Sequence, residues 1–216
     1  MNSTPNHHPA EDTLLRHTAG TLAAGRSVVV ATHLWFCPEC RAAVRLGEAI
    51  GGALLAAMPA AGLSETALNR VLARLDTPVT LTRPAGETVD TGVELPDPLR
   101  GLARSGWRWL APGIRRIALH VPDTGSREYL CLLRVAPGQS LPDHGHRGWE
   151  ATCVLSGSFS DATGEYGPGD LAEMTEEAVH QPVSGPIEAC VCLIAWEGSL
   201  RMRGLLARAL QPLVGV

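Results

Sequence analysis

From Gly106 onward, five Pro-Gly and Ser-Gly pairs cut the chain into short apolar runs, and this punctuation limits the fold more than any other feature. The runs are Trp107–Leu110, Ile114–Val121, Tyr129–Val135, Glu150–Leu155, Ser158–Ser160 and Ile187–Trp196. Pro112-Gly113, Pro137-Gly138, Ser156-Gly157, Pro168-Gly169 and Ser184-Gly185 stand between them. Runs of this length suit strands better than helices, and many short strands between turn signals predict a sandwich or barrel.

Residues 10–76 carry a different periodicity. Leu14, Leu15, Thr18 and Leu22 share one helical face, and a second helix runs through Val28–Val30 toward Phe36. A third follows Pro38, whose missing N–H costs nothing in a first turn. Its Val44, Leu46, Ile50, Leu54 and Leu55 predict a broad buried face. Ser64 is expected to cap a fourth helix bearing Leu68, Val71, Leu72 and Leu75. Between Asp76 and Pro98, four prolines and two glycines interrupt any long element and read as a linker. Met202 to Leu210 reads as a last helix.

Composition excludes several classes. With 45% hydrophobic and 19% charged residues, the 216-residue chain has the balance of a folded protein. It has no lysine. Residues 1–80 hold six Arg against six acids, and the whole carries a formal net charge of −4, so no basic stripe is ready for nucleic acid. Met1 to Thr13 lacks the basic and apolar regions of a secretory signal. The longest apolar run, Ala49 to Leu63, is broken by Pro59 and too short to cross a bilayer. A cytoplasmic protein without membrane contact is expected, and its six cysteines then read as metal ligands, redox sensors or core residues rather than disulfides.

Two clusters carry chemistry. His33-Leu-Trp-Phe-Cys37-Pro-Glu-Cys40 is an H-x3-C-x2-C run, and its three ligands can converge from one helical face. Soft thiolates beside an imidazole suit zinc, which takes four ligands; His7 or His8 is the upstream candidate for the fourth. In the second cluster, His144 and His146 point the same way along a strand, and Glu150 keeps that parity if the strand continues. His180, on a later segment, completes a three-His, one-Glu set fit for Zn, Mn, Fe or Ni.

Gly138 to Gly157 matches the cupin signature G-x5-H-x-H-x3-E-x6-G residue for residue, while Pro168-Gly169-Asp170 departs from the P-x-G of the second cupin motif. A helical His-x24-His-x3-Cys-x2-Cys module from His8 to Cys40, followed by a small cupin, resembles the ChrR-type zinc-binding anti-sigma factors. The resemblance implies an α+β chain. A small all-α anti-sigma domain occupies 1–76, a linker 77–98, and a cupin β-barrel of jelly-roll type 99–216. It implies His8 rather than His7 as fourth ligand of a Zn2+ site with His33, Cys37 and Cys40. In the cupin, His144, His146, Glu150 and His180 would hold Zn2+ or another divalent metal. It further implies a 1:1 complex with an extracytoplasmic-function sigma factor, whose polymerase-binding surfaces are occluded until an oxidant such as singlet oxygen or an organic hydroperoxide is sensed through the cupin.

Cys190 and Cys192 sit two apart on an apolar strand, so both thiols share a face. They read equally as buried small hydrophobes or, by the resemblance, as redox-sensing residues; Cys131 and Cys153 read as core. A cupin metalloenzyme of small-molecule dioxygenase type with an accessory helical domain is the alternative. The H-x3-C-x2-C module, which such an enzyme has no reason to carry, favours the regulator and no enzymatic activity.

Overall fold

The computed structural model describes residues 4–75, 90–121, 128–146, 148–175, 179–198 and 200–202, with the side chains of His146, Val179 and 200–202 outside that description. Most of the expected linker and Met202–Leu210 beyond its first residue also lie outside it.

Four helices lead: α1 (Glu11–Thr18), α2 (Ala24–Phe36), α3 (Pro38–Ala57) and α4 (Ala67–Leu75). Glu11 and Asp12 in the first turn of α1 and Arg16 and His17 in its last suit the helix dipole. At the α2–α3 corner, Cys37 leaves helical geometry and its Sγ accepts from the Cys40 N–H at 3.3 Å, while Pro38 starts the new helix. The fourth helix begins at Ala67 rather than directly after Ser64. The Ser64 carbonyl accepts the Ala67 N–H in a preceding turn instead of its side chain capping the helix.

The strands follow as β1 (Arg108–Ala111), β2 (Ile114–Ala118), β3 (Glu128–Val135), β4 (His144–His146), β5 (Glu150–Ser156), β6 (Phe159–Asp161), β7 (Gly164–Tyr166), β8 (Leu171–Met174), β9 (Val179–His180), β10 (Val183–Ser184), β11 (Cys190–Glu197) and β12 (Leu200–Met202). One sheet runs β1-β2-β3-β11-β5-β8, and two smaller sheets, β10-β6-β7 and β12-β4-β9, supply the facing layer. All pairings are antiparallel. This is the cupin sandwich expected from the sequence, preceded by a helical region. Gly157 closes the β5–β6 turn at φ +68°, and a Cβ there would lie 2.6 Å from the Ala189 carbonyl oxygen. Only glycine fits.

β11 is buried on both faces, which explains its unbroken apolar run. Cys190, Cys192 and Ile194 face the interior between the layers. Val191, Leu193 and Ala195 face outward, where Val29 and Val30 of α2 cover them in one continuous core. The helical region is therefore packed against the large sheet. Residues 91–99 join that core, with Leu99 fully buried and the Trp107 Nε1–H donating to the Thr91 carbonyl at 3.0 Å.

The buried face expected on α3 is instead exposed. Leu46, Ile50, Leu54 and Leu55 are 54–71% exposed, and on α4 Leu68, Val71, Leu72 and Leu75 are 48–73% exposed. The periodicity does describe an apolar face, but within the described residues nothing covers it.

Candidate metal centres

The first cluster assembles at the α2–α3 corner. His8, His33, Cys37 and Cys40 bring one ligand atom each to within 4.8 Å of all the others. His8 Nδ1 lies 3.4 Å from both Cys37 Sγ and Cys40 Sγ, and the His8 and His33 rings stand edge to face. His33 and Cys37 are fully buried. His33 Nδ1 donates to the Gly169 carbonyl at 2.7 Å, which leaves Nε2 bare and pointed into the cluster with no hydrogen-bond partner. A buried imidazole nitrogen in that state is a metal ligand's signature. Burial holds the His33 imidazole below its ordinary pKa, against the Gly169 hydrogen bond, so the ring is neutral and able to ligate. Burial and then the Cys37 thiol push Cys40 up to about 12. A cation among these groups would reverse that preference and hold the thiols as thiolates. The donor set fits zinc.

His7 takes no part in the cluster. Its Nε2 donates to the Glu165 carbonyl at 3.1 Å and its ring lies on Tyr166, 4.3 Å between centroids. The residue beside the ligand anchors the segment that carries it.

The second cluster lies between the cupin layers. His144, Glu150 and His180, all buried, meet within the same 4.8 Å limit. His144 and Glu150 do not share a continued strand. β4 ends at His146, Gly148 turns the chain at φ +127°, and β5 starts at Glu150 in the opposite layer. The ligands thus converge across the sandwich instead of along one strand. The His146 backbone is in β4; its side chain is outside the description.

His144 Nδ1 donates to the Pro142 carbonyl at 2.8 Å and His180 Nδ1 to Asp161 Oδ2 at 3.1 Å. Both rings therefore present Nε2 inward, and the two atoms are 3.2 Å apart, with Glu150 Oε1 3.9 Å from that of His180. Two imidazole nitrogens at this distance beside a carboxylate suit a shared proton or a cation. Burial pushes the Glu150 carboxyl up, against the opposing pull of His144 and the Thr152 hydrogen bond. Asp161 is held low despite burial by its Thr163 hydrogen bonds and by His180. A buried carboxylate orienting a ligand histidine is the usual outer support of such a site, and sequence reasoning missed it. The pattern to look for was a carboxylate in the turn opposite His180.

The cavity beside this cluster measures about 60 Å³, room for a few waters, and Cys190, Cys192, Phe159 and Met174 help line it. Cys190 Sγ and Cys192 Sγ are 3.4 Å apart and not bonded. The Cys190 hydrogen bond and burial push Cys192 well up. Cys131 and Cys153 are buried; burial raises both thiols, Cys131 to about 12.

Residues 100–198 match the family model described as ChrR cupin-like domain. Over 214 residues the chain is 38% identical to the anti-sigma-E factor ChrR of Cereibacter sphaeroides, covering 97% of this chain and 98% of that one. The chain belongs to the ChrR family of anti-sigma factors. Among solved structures, ChrR in the crystal structure of the Rhodobacter sphaeroides SigE complex with anti-sigma ChrR aligns at a TM-score of 0.73 and 37% identity. That alignment covers 89% of this chain and 99% of the other. The likeness spans the ChrR helical region and cupin together, with the His/Cys cluster in the first and the His/Glu cluster in the second.

Proposed function

We propose that this ChrR-family chain is a non-enzymatic, cytoplasmic anti-sigma factor that binds an extracytoplasmic-function sigma factor one to one and releases it under oxidative stress. The helical part, residues 1–76, holds the partner. The cupin, residues 99–216, receives the signal. One observation carries the first half: the apolar faces of α3 and α4 stand uncovered in a chain similar along its whole length to a named anti-sigma factor. Proteins in water rarely leave so many large apolar side chains uncovered along a helix face without a partner for them. Burying four of those leucine-sized side chains offers on the order of 6–12 kcal/mol before the costs of association.

Zinc held by His8, His33, Cys37 and Cys40 fixes the N-terminal segment to the α2–α3 corner, a structural role. In the cupin, His144, His146, Glu150 and His180 would hold Zn2+ or another divalent cation. Such a cation would supply a Lewis-acidic centre in the cavity that Cys190 and Cys192 also line. Singlet oxygen or an organic hydroperoxide reaching that cavity acts on the ligands or on the two thiols, and the strands carrying them pass the change to the helices. The ligand of greatest leverage is Glu150, because β5 also backs onto α2.

Co-expression with a sigma factor of this class, followed by purification through a tag on the sigma factor, tests the binding half. The natural chain should co-purify 1:1, whereas Ile50→Asp with Leu54→Asp should abolish recovery while leaving the cupin folded. Undiminished recovery of the double variant would place the partner elsewhere and overturn the α3–α4 assignment.

A further inference from the structure

The segment Pro5 to Ala10 is neither helix nor strand, yet the outer edge of the cupin fixes it almost residue by residue. Asp170, only 3% exposed, accepts the Asn6 N–H at 2.6 Å and the His7 N–H at 2.9 Å on Oδ1, and the Gly167 N–H at 2.8 Å on Oδ2. The Leu171 N–H donates to the His7 carbonyl at 3.1 Å. Farther along β8, Glu173 takes the Ala10 N–H at 2.7 Å. His8 lies inside this strap and so has its position set by the barrel.

The other histidine of the helical cluster is oriented from the same place. His33 Nδ1 donates to the carbonyl of Gly169, the residue before Asp170. Gly169 sits at φ +90°, and a Cβ there would come within 2.7 Å of Phe36 Cβ and 2.8 Å of Pro5 Cγ. Glycine is what lets this turn close against both α2 and the strap at once. Both imidazoles of the His/Cys cluster therefore take their aim from a cupin turn, residues 167–170, that contributes no ligand.

We propose that Asp170 and Gly169 are positioning residues of the helical metal centre, so that the cupin governs how firmly that centre keeps its metal. The inference rests on the metal reading of His8, His33, Cys37 and Cys40. The last three ligands come from the contiguous α2–α3 corner. His8 comes from 25 residues upstream, on a strap with no hydrogen-bonded structure of its own. Without Asp170 the strap loses its Asn6 and His7 N–H bonds to the cupin, the ones nearest His8, and the fourth ligand is held less firmly. Outer partners of metal ligands govern affinity to this degree even though they never touch the ion. The turn and strap then add a link between the two halves at the metal centre, beside the packing of α2 on the large sheet.

The test uses the full chain loaded with one equivalent of Co2+, whose thiolate charge-transfer absorption reports the Cys37/Cys40 site and disappears in Cys37→Ser. Excess chelator is added and the decay of that band is timed. Asp170→Ala should speed the decay roughly 10- to 100-fold. Asp170→Asn, which keeps the volume and one acceptor oxygen, should give a smaller acceleration and carries the test should the alanine variant fold poorly. Decay as slow in both variants as in the natural chain would overturn the inference while leaving the metal reading intact. Absence of a thiolate band in the natural chain would overturn both.

Discussion

The two candidate metal centres share a rule and differ in what they join. Each collects ligands from separate segments, and each histidine whose outer nitrogen is hydrogen-bonded shows the other nitrogen to the cluster. The first centre sits where the strap, α2 and α3 meet and uses two sulfurs. Such a site closes a joint. The second sits inside the sandwich, uses nitrogen and oxygen, and opens onto a cavity that two thiols also line. That site has room for something to arrive. The difference teaches that similar ligand sets suit different ends: on the proposed reading, one cluster would hold shape and the other respond.

The largest expected effect breaks the first centre and spares the second. Cys37→Ser should lose that metal, a contribution of roughly 10 kcal/mol or more where zinc is structural, and with it sigma-factor binding. His180→Ala should instead lose only the cupin metal and change sigma affinity by less than about 0.5 kcal/mol, as independent sites do. Metal content per chain and titration calorimetry read both. Sigma binding that falls equally in the two variants would erase the distinction.

A smaller effect concerns the joint. Glu173 bonds the Ala10 N–H, the Thr13 hydroxyl and Arg26, the last at 2.6 Å, and Arg26 also lies over the Trp149 ring. Glu173→Ala should cost about 2 kcal/mol in thermal or denaturant unfolding, because it strands a half-buried guanidinium. Unchanged stability would mean that the helices do not depend on β8.

The smallest is a pH effect. Burial lowers the pKa of His17, against the pull of Glu48, and its Nδ1 meets the Ser27 hydroxyl at 2.9 Å. The folded state thus binds a proton less readily than the unfolded one. The stability from this group is complete above the unfolded pKa near 6.5 and drains away as pH falls below it. His17→Gln should flatten the stability profile between pH 7 and 5 by a small amount; an identical slope would assign it to other groups.

His33, Cys37 and Cys40, and His144 with Glu150, were legible from their spacing, His8 through the family resemblance and His180 as a later histidine. The cupin signature marked even the glycine that closes the β5–β6 turn. The helices and longer strands were legible from period alone. What escaped was tertiary. Leu54 and Leu72 have the spacing of core residues, and no local rule reveals that nothing among the described residues covers them. Asp161 and Asp170 lie far from the histidines they support, so spacing is silent. Yet Asp170 occupies the place where the second cupin motif was seen to depart, and the departure is where the strap is held.

The central claim, that the cupin reads the oxidant and the helical part holds the partner, is tested most directly by release. Fluorescently labelled sigma factor is bound to the full chain, an organic hydroperoxide is added, and anisotropy is followed. The natural chain should release the sigma factor, whereas a His144→Ala, His180→Ala chain should bind it as tightly and keep it. Equal release from both would contradict a cupin that senses.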